Sequence, residues 1–67
     1  MMTIVVNGQE IEVPAALPLP ALLERLGMQS ERVVVERNEE IVSRCEYGTA
    51  VLAAGDRLEI LGFVGGG

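Results

Sequence analysis

A chain of 67 residues has room for one small domain, which on folding takes only roughly 60% of its unfolded-state surface out of water, so a deep catalytic cleft is not expected. With 49% hydrophobic residues it is no disordered segment. With one Cys and no His it lacks an internal disulfide and the ligand set for a structural zinc or a cysteine-held iron–sulfur cluster. Ten acidic residues against five arginines and no lysine give a formal net charge of −5, which opposes nucleic acid and makes a basic protein surface the better partner.

Met1-Met2-Thr3 leads straight into a β-like run without a basic leader, and no apolar stretch approaches the length of a membrane span. The chain is therefore expected to be soluble and cytoplasmic, with no membrane partner, in a reducing compartment that suits its single thiol.

Thr3 to Val6 and Ile11 to Val13 flank Asn7-Gly8, and an Asn-Gly pair between β-rich runs predicts a two-residue hairpin. Ile11 and Val13 alternate with Glu10 and Glu12, which puts one face of the second strand in the core; Pro14 ends it. Leu19, Leu22, Leu23 and Leu26 recur at helical spacing, with Pro20 in the first turn and Gly27 where a left-handed cap belongs, so one short amphipathic helix follows. Val33-Val34-Val35 begins a third strand that ends at the polar turn Glu36 to Glu39, and Ile41-Val42 suffices for a brief edge strand. Ser43 to Thr49 reads as irregular. Gly55-Asp56 turns the chain into a last strand, 57–64, in which Leu58 and Ile60 alternate with Arg57 and Glu59.

The order β-β-α-β-β-β, with no repeat or linker, predicts a single α+β domain of β-grasp (ubiquitin-like) type: a mixed sheet with one helix on one face and the last strand returning beside the first. The expected division is a body over 1–64 and a flexible tail, Gly65-Gly66-Gly67. Without Cβ atoms such a tail can enter a channel too narrow for other residues and present its carboxylate inside a partner's active site. The plain alternative is an untethered end of no function.

The Val6-Asn7-Gly8 hairpin, the leucine helix ending at Gly27, Val35-Glu36-Arg37-Asn38, Ile41-Val42, and the run from Gly55-Asp56-Arg57-Leu58-Glu59-Ile60 to Phe63-Val64-Gly65-Gly66-Gly67 together resemble the ThiS family, ubiquitin-like sulfur carriers of thiazole formation in thiamine biosynthesis. The resemblance covers essentially the whole chain. It departs at Pro18, where the family often has Thr or Ser, so the helix lacks a side-chain cap.

The resemblance implies a carrier that is itself no enzyme, binds no cofactor and holds no metal. An adenylating enzyme would use ATP to convert the Gly67 carboxylate to an acyl-adenylate, a sulfur donor such as a cysteine desulfurase would supply the sulfur of a thiocarboxylate, and a thiazole synthase would receive it. Gly65, Gly66 and Gly67 would enter the partner's site. The free carrier is expected to be a monomer. The lack of lysine suits an activated acyl group, which a surface amine would capture. Two other readings share the pattern: a carrier serving molybdopterin, tRNA thiolation or cysteine synthesis, and a non-covalent β-grasp interaction module whose binding is indifferent to the tail.

Docking needs a surface too. With Leu58 and Ile60 facing the helix, Leu61 and Phe63 are expected on the other face, and Leu61, Phe63, Val64 and Val5 form the expected partner strip, with Val34 a possible extension. The alternatives for Phe63 are packing at the sheet edge or an inward turn at a bulge on Gly62. Cys45 reads as an ordinary thiol rather than a sulfur relay, and Glu39-Glu40 as solvated carboxylates.

Overall fold

The computed structural model describes residues 1–62. Its strands are β1 (Met2–Val6), β2 (Gln9–Val13), β3 (Val33–Arg37), β4 (Glu40–Ile41) and β5 (Arg57–Gly62), with one α-helix, α1 (Leu19–Arg25). Single 3₁₀ turns occupy Ser30–Arg32 and Arg44–Glu46. The strands form one mixed sheet in the order β2-β1-β5-β3-β4: β5 lies at its centre, parallel to β1 and antiparallel to β3. This is the β-grasp arrangement expected from the element order.

Period-two alternation makes the two faces unlike. Met2, Ile4, Val6, Val13, Val33, Val35, Leu58 and Ile60 turn inward and are buried with Leu19, Leu22 and Leu23 of the helix. Leu17 and Leu52 close one end of this core, tied by the Leu52 N–H donating to the Leu17 carbonyl at 2.9 Å. Tyr47 fills the flank beyond β4. Its hydroxyl accepts from the Val35 N–H and donates to the Val33 carbonyl, both at 3.1 Å, so it serves the edge of β3 that two-residue β4 is too short to pair.

The two hairpins share one turn type. Asn7-Gly8 joins β1 to β2 with φ of 50° and 84°, and Asn38-Glu39 joins β3 to β4 with φ of 53° and 72°, so each has both central residues left-handed. That is the type I′ geometry whose twist matches the flanking strands. Glycine takes it freely at position 8; Glu39 takes it at a steric cost.

Several boundaries differ from the sequence expectation, each for a local reason. β3 runs on through Glu36 and Arg37, because Arg37 pairs with Glu40 across the two-residue turn and thereby starts β4 one residue early. The helix closes at Arg25. Leu26 is its C-cap and is 37% exposed rather than a core residue; Gly27 follows at φ 72° as the left-handed cap. Pro18 precedes the helix without a side-chain cap, as expected; the Leu19 N–H donates instead to the Ala50 carbonyl at 2.9 Å. The segment read as irregular contains the 3₁₀ turn at Arg44–Glu46 and, in Tyr47, a core residue. The expected end of the last strand at Val64 and the 65–67 tail lie outside the described residues.

Candidate functional site

The candidate site is the far end of the described part of β5, which the glycine run follows in sequence. At the near end of this strand Asn38 pairs with Arg57 as a strand residue would: its backbone N–H donates to the Arg57 carbonyl at 2.8 Å, and its Oδ1 accepts from the Arg57 N–H at 3.0 Å. Just before Arg57, Asp56 is 6% exposed and fully engaged. Its Oδ2 lies 2.7 Å from Arg37 Nη2, and accepts from Arg37 Nε and from the Ala53 N–H, each at 2.8 Å; Oδ1 accepts from Asn38 Nδ2 at 3.2 Å. Burial pushes the Asp56 carboxyl up, but the hydrogen bonds from Ala53, Asn38 and Arg37 and the Arg37 charge outweigh it, and the net displacement is below the usual aspartate value.

Further along β5 the partner strand β1 runs out. The Asn7 N–H donates to the Leu58 carbonyl at 2.9 Å, after which the chain turns into β2. The Asn7 carboxamide then takes over. Its Oδ1 accepts from the Ile60 N–H at 2.7 Å and its Nδ2 donates to the Ile60 carbonyl at 3.2 Å.

Two surfaces flank the end of β5. On the open face of the sheet Leu61 is 62% exposed and faces half-buried Val34 across the β3 register, while half-buried Val5 pairs with Arg57 across the β1 register. The same face carries Glu10 and Glu12 on β2 and the directly opposed pair Glu36 and Glu59, with Arg57 among them. On the helix side an open groove of about 460 Å³, lined by Gly27, Met28, Gln29, Arg32, Val33 and Gly62, begins where the described strand ends.

Of the residues expected from the sequence to meet a partner, Leu61 and Val5 therefore share the open face. Phe63, Val64, Gly65, Gly66 and Gly67 lie outside the described residues. Cys45 is exposed in its 3₁₀ turn, and Glu39 and Glu40 are exposed at the β3–β4 turn. Among the described residues no group of His, Cys, Asp or Glu is arranged to hold a metal ion, and no helix is long and apolar enough to cross a membrane. Sequence reading missed the side chains that hold β5. Asn7 and Asn38 were legible as turn residues, but their grip on a third strand depends on β5 lying between the two hairpins.

Comparison with known proteins identifies the family, because the sequence model of the ThiS family matches residues 2–67. The chain belongs to the ThiS family. A thiamine biosynthesis protein (ThiS) from Geobacter metallireducens, known from a crystal structure, superposes with a TM-score of 0.82 at 36% identity over 98% of this chain and 100% of that one. The sulfur carrier protein ThiS of Bacillus subtilis is 41% identical over 46 residues, 69% of this chain and 70% of that protein. Proteins named thiazole synthase from Paramagnetospirillum magneticum and Magnetococcus marinus are 46% and 44% identical over 66 residues, 98% of this chain. This ThiS-family chain spans only 20% of the length of each of those two synthases.

Proposed function

We propose that this chain is the sulfur carrier of thiazole formation in thiamine biosynthesis, with the Gly67 carboxyl as the group that carries sulfur. The observation that bears most of the weight is the family match, which runs from residue 2 through Gly67 and so takes in the triple-glycine end with the body. Support for thiazole synthase as recipient comes from the two relatives of that name, of which a region like this whole chain forms a fifth.

The chemistry follows from what a carboxylate lacks. It is a poor electrophile at neutral pH, so an activating enzyme spends ATP to join it to AMP, releasing pyrophosphate and creating a leaving group. A persulfide from a cysteine-derived donor attacks the acyl carbon and expels AMP; a thiol then cleaves the acyl disulfide, leaving the thiocarboxylate at Gly67 and a new disulfide on the donor. The thiocarboxylate sulfur is ionised and nucleophilic near neutral pH, as reactive thiolates are. Sulfur bonds to the synthase's substrate, and attack of an oxygen nucleophile such as water on the acyl carbon then breaks the acyl–sulfur bond, so that Gly67 returns as a carboxylate. The glycines leave the acyl carbon unobstructed, and a slim tail lets the partner close round the adenylate and exclude water.

The test is direct. The purified chain is incubated with ATP, the activating enzyme and a cysteine-derived sulfur source, and its intact mass is followed by fragmentation of the C-terminal peptide. Replacement of one oxygen by sulfur at Gly67 is the expected result, and a variant lacking Gly66-Gly67 should fold and remain unmodified. An unchanged mass with an activating enzyme that works on its own carrier overturns the reading.

A further inference from the structure

We infer that Asn7 is a positioning residue for the tail: its carboxamide stands in for the peptide group that β1 no longer supplies, and thereby aims the end of β5 into the partner. This rests on the carrier reading above. A parallel ladder would pair Ile60 with two successive peptide groups of β1, one accepting and one donating. The chain has already turned away at Asn7-Gly8, and the primary amide, which has the same donor and acceptor as a peptide, meets both needs from one side chain at 2.7 and 3.2 Å. Without it the β1-side edge of β5 would be unpaired from Ile60 to Gly62 among the described residues.

The position of this contact gives it a functional consequence. Ile60 is two residues from Gly62, where the described strand ends, and among the described residues β5 is guided beyond it from the β3 side, by the Val34–Leu61 and Val33–Gly62 pairs. With Ile60 held from both sides, the strand enters its last described pairs in one direction; with the β1 side released, Ile60 too is held from β3 alone and the strand has more room to pivot. For a carrier whose reacting carboxyl lies seven residues past the clamp, the fraction of time the tail spends aligned in the partner's site enters the turnover rate, and small misplacements of reacting groups are costly. Asparagine also does the turn's work, since it tolerates the left-handed φ of 50°. The two roles are separable, because glycine satisfies the turn and offers no amide.

The experiment compares wild type, Asn7→Gly, Asn7→Asp and Val13→Ala in steady-state thiocarboxylate formation with the activating enzyme, alongside amide hydrogen exchange at Ile60. Val13 is buried on β2, which does not touch β5, so its truncation lowers stability away from the clamp. Asn7→Gly should speed Ile60 exchange at least about tenfold and lower kcat about five- to tenfold with KM within about twofold. Asn7→Asp keeps the acceptor but sets a carboxylate against the Ile60 carbonyl, and should also lose kcat. Val13→Ala should keep kcat, since a loss of folded carrier alone raises apparent KM and leaves turnover at saturation intact. If Asn7→Gly does not fold, Asn7→Asp decides by the same criteria. Wild-type kcat in the Asn7 variants, unchanged Ile60 exchange, or an equal fall in Val13→Ala overturns the inference while leaving a converting wild type as a carrier. A wild type that is never converted overturns the carrier reading and this inference with it.

Discussion

Arg37, the last residue of β3, and Asp56, the residue before β5, form an ion pair at 2.7 Å that ties the turn into the central strand to the β3–β4 hairpin. Arg37 also donates to the Val51 carbonyl at 3.0 Å, so one guanidinium ties the end of β3 to two points of the loop that leads into β5. Because Asp56 is buried and accepts from Ala53 and Asn38 as well, removing its charge weakens the bonds from Arg37 and turns one acceptor oxygen into a donor facing other donors.

Acid should expose this network. The Asp56 carboxyl is held below its unfolded value, so its contribution to stability is fully present above about pH 4 and is lost as pH falls through the folded value. Asp56→Asn is expected to cost about 1–3 kcal/mol at pH 7 and to flatten the fall in stability below pH 4. Urea unfolding at a series of pH values checks both; a variant with wild-type stability and an unchanged acid limb refutes the assignment.

Tyr47→Phe isolates a pair of hydrogen bonds while keeping the ring in the core. The Val33 carbonyl retains Arg44 Nη2 at 3.1 Å, but the Val35 N–H loses its acceptor beneath a buried side chain. The expected loss is about 1–3 kcal/mol, read from the shift in urea midpoint at constant slope. Loss below about 0.5 kcal/mol would mean that water reaches the Val35 amide.

Glu39→Gly should stabilise the protein. Glu39 sits at φ 72° in the second I′ turn, where Gly8 holds the same place in the first, and it is exposed with no hydrogen bond of its own among the described residues. Relief of the left-handed strain exceeds the added chain entropy by about 0.5–1 kcal/mol. Thermal unfolding should show a higher midpoint, and a lower one would indicate that Glu39 makes a favourable contact in solution.

These residues also mark where sequence reading reached its limit. The fold was legible because Asn7-Gly8, the leucine spacing and the alternation at Leu58 and Ile60 are signals written within a few residues of chain, and each local preference agrees with the sheet that forms. Leu26 keeps the helical spacing of the other leucines yet, as the C-cap, is 37% exposed, which spacing alone does not show. Tyr47 and Asp56 lie in stretches with no periodicity, and their roles come from partners 12 to 19 residues away. At the candidate site, Leu61 was legible from period two alone. The opposed Glu36 and Glu59 were not, since that needs the β3–β5 register.

Leu61 gives the sharpest separation of folding from function. Its side chain is 62% exposed on the open face, so Leu61→Ala should change stability by no more than about 0.5 kcal/mol. If the open face docks on the activating enzyme, the same change removes an apolar anchor beside the tail and should weaken the complex by about 1–2 kcal/mol, a five- to thirtyfold rise in Kd. Charge should act on the same face in a different way. Glu59→Gln relieves the repulsion from Glu36 and so should stabilise the free carrier slightly, yet slow association with a basic partner and reduce the salt dependence of kon. Titration calorimetry for Leu61→Ala and stopped-flow association at two ionic strengths for Glu59→Gln measure the two effects. Wild-type binding in both variants would move the docking surface off this face and leave the groove beside Gly62 as the alternative.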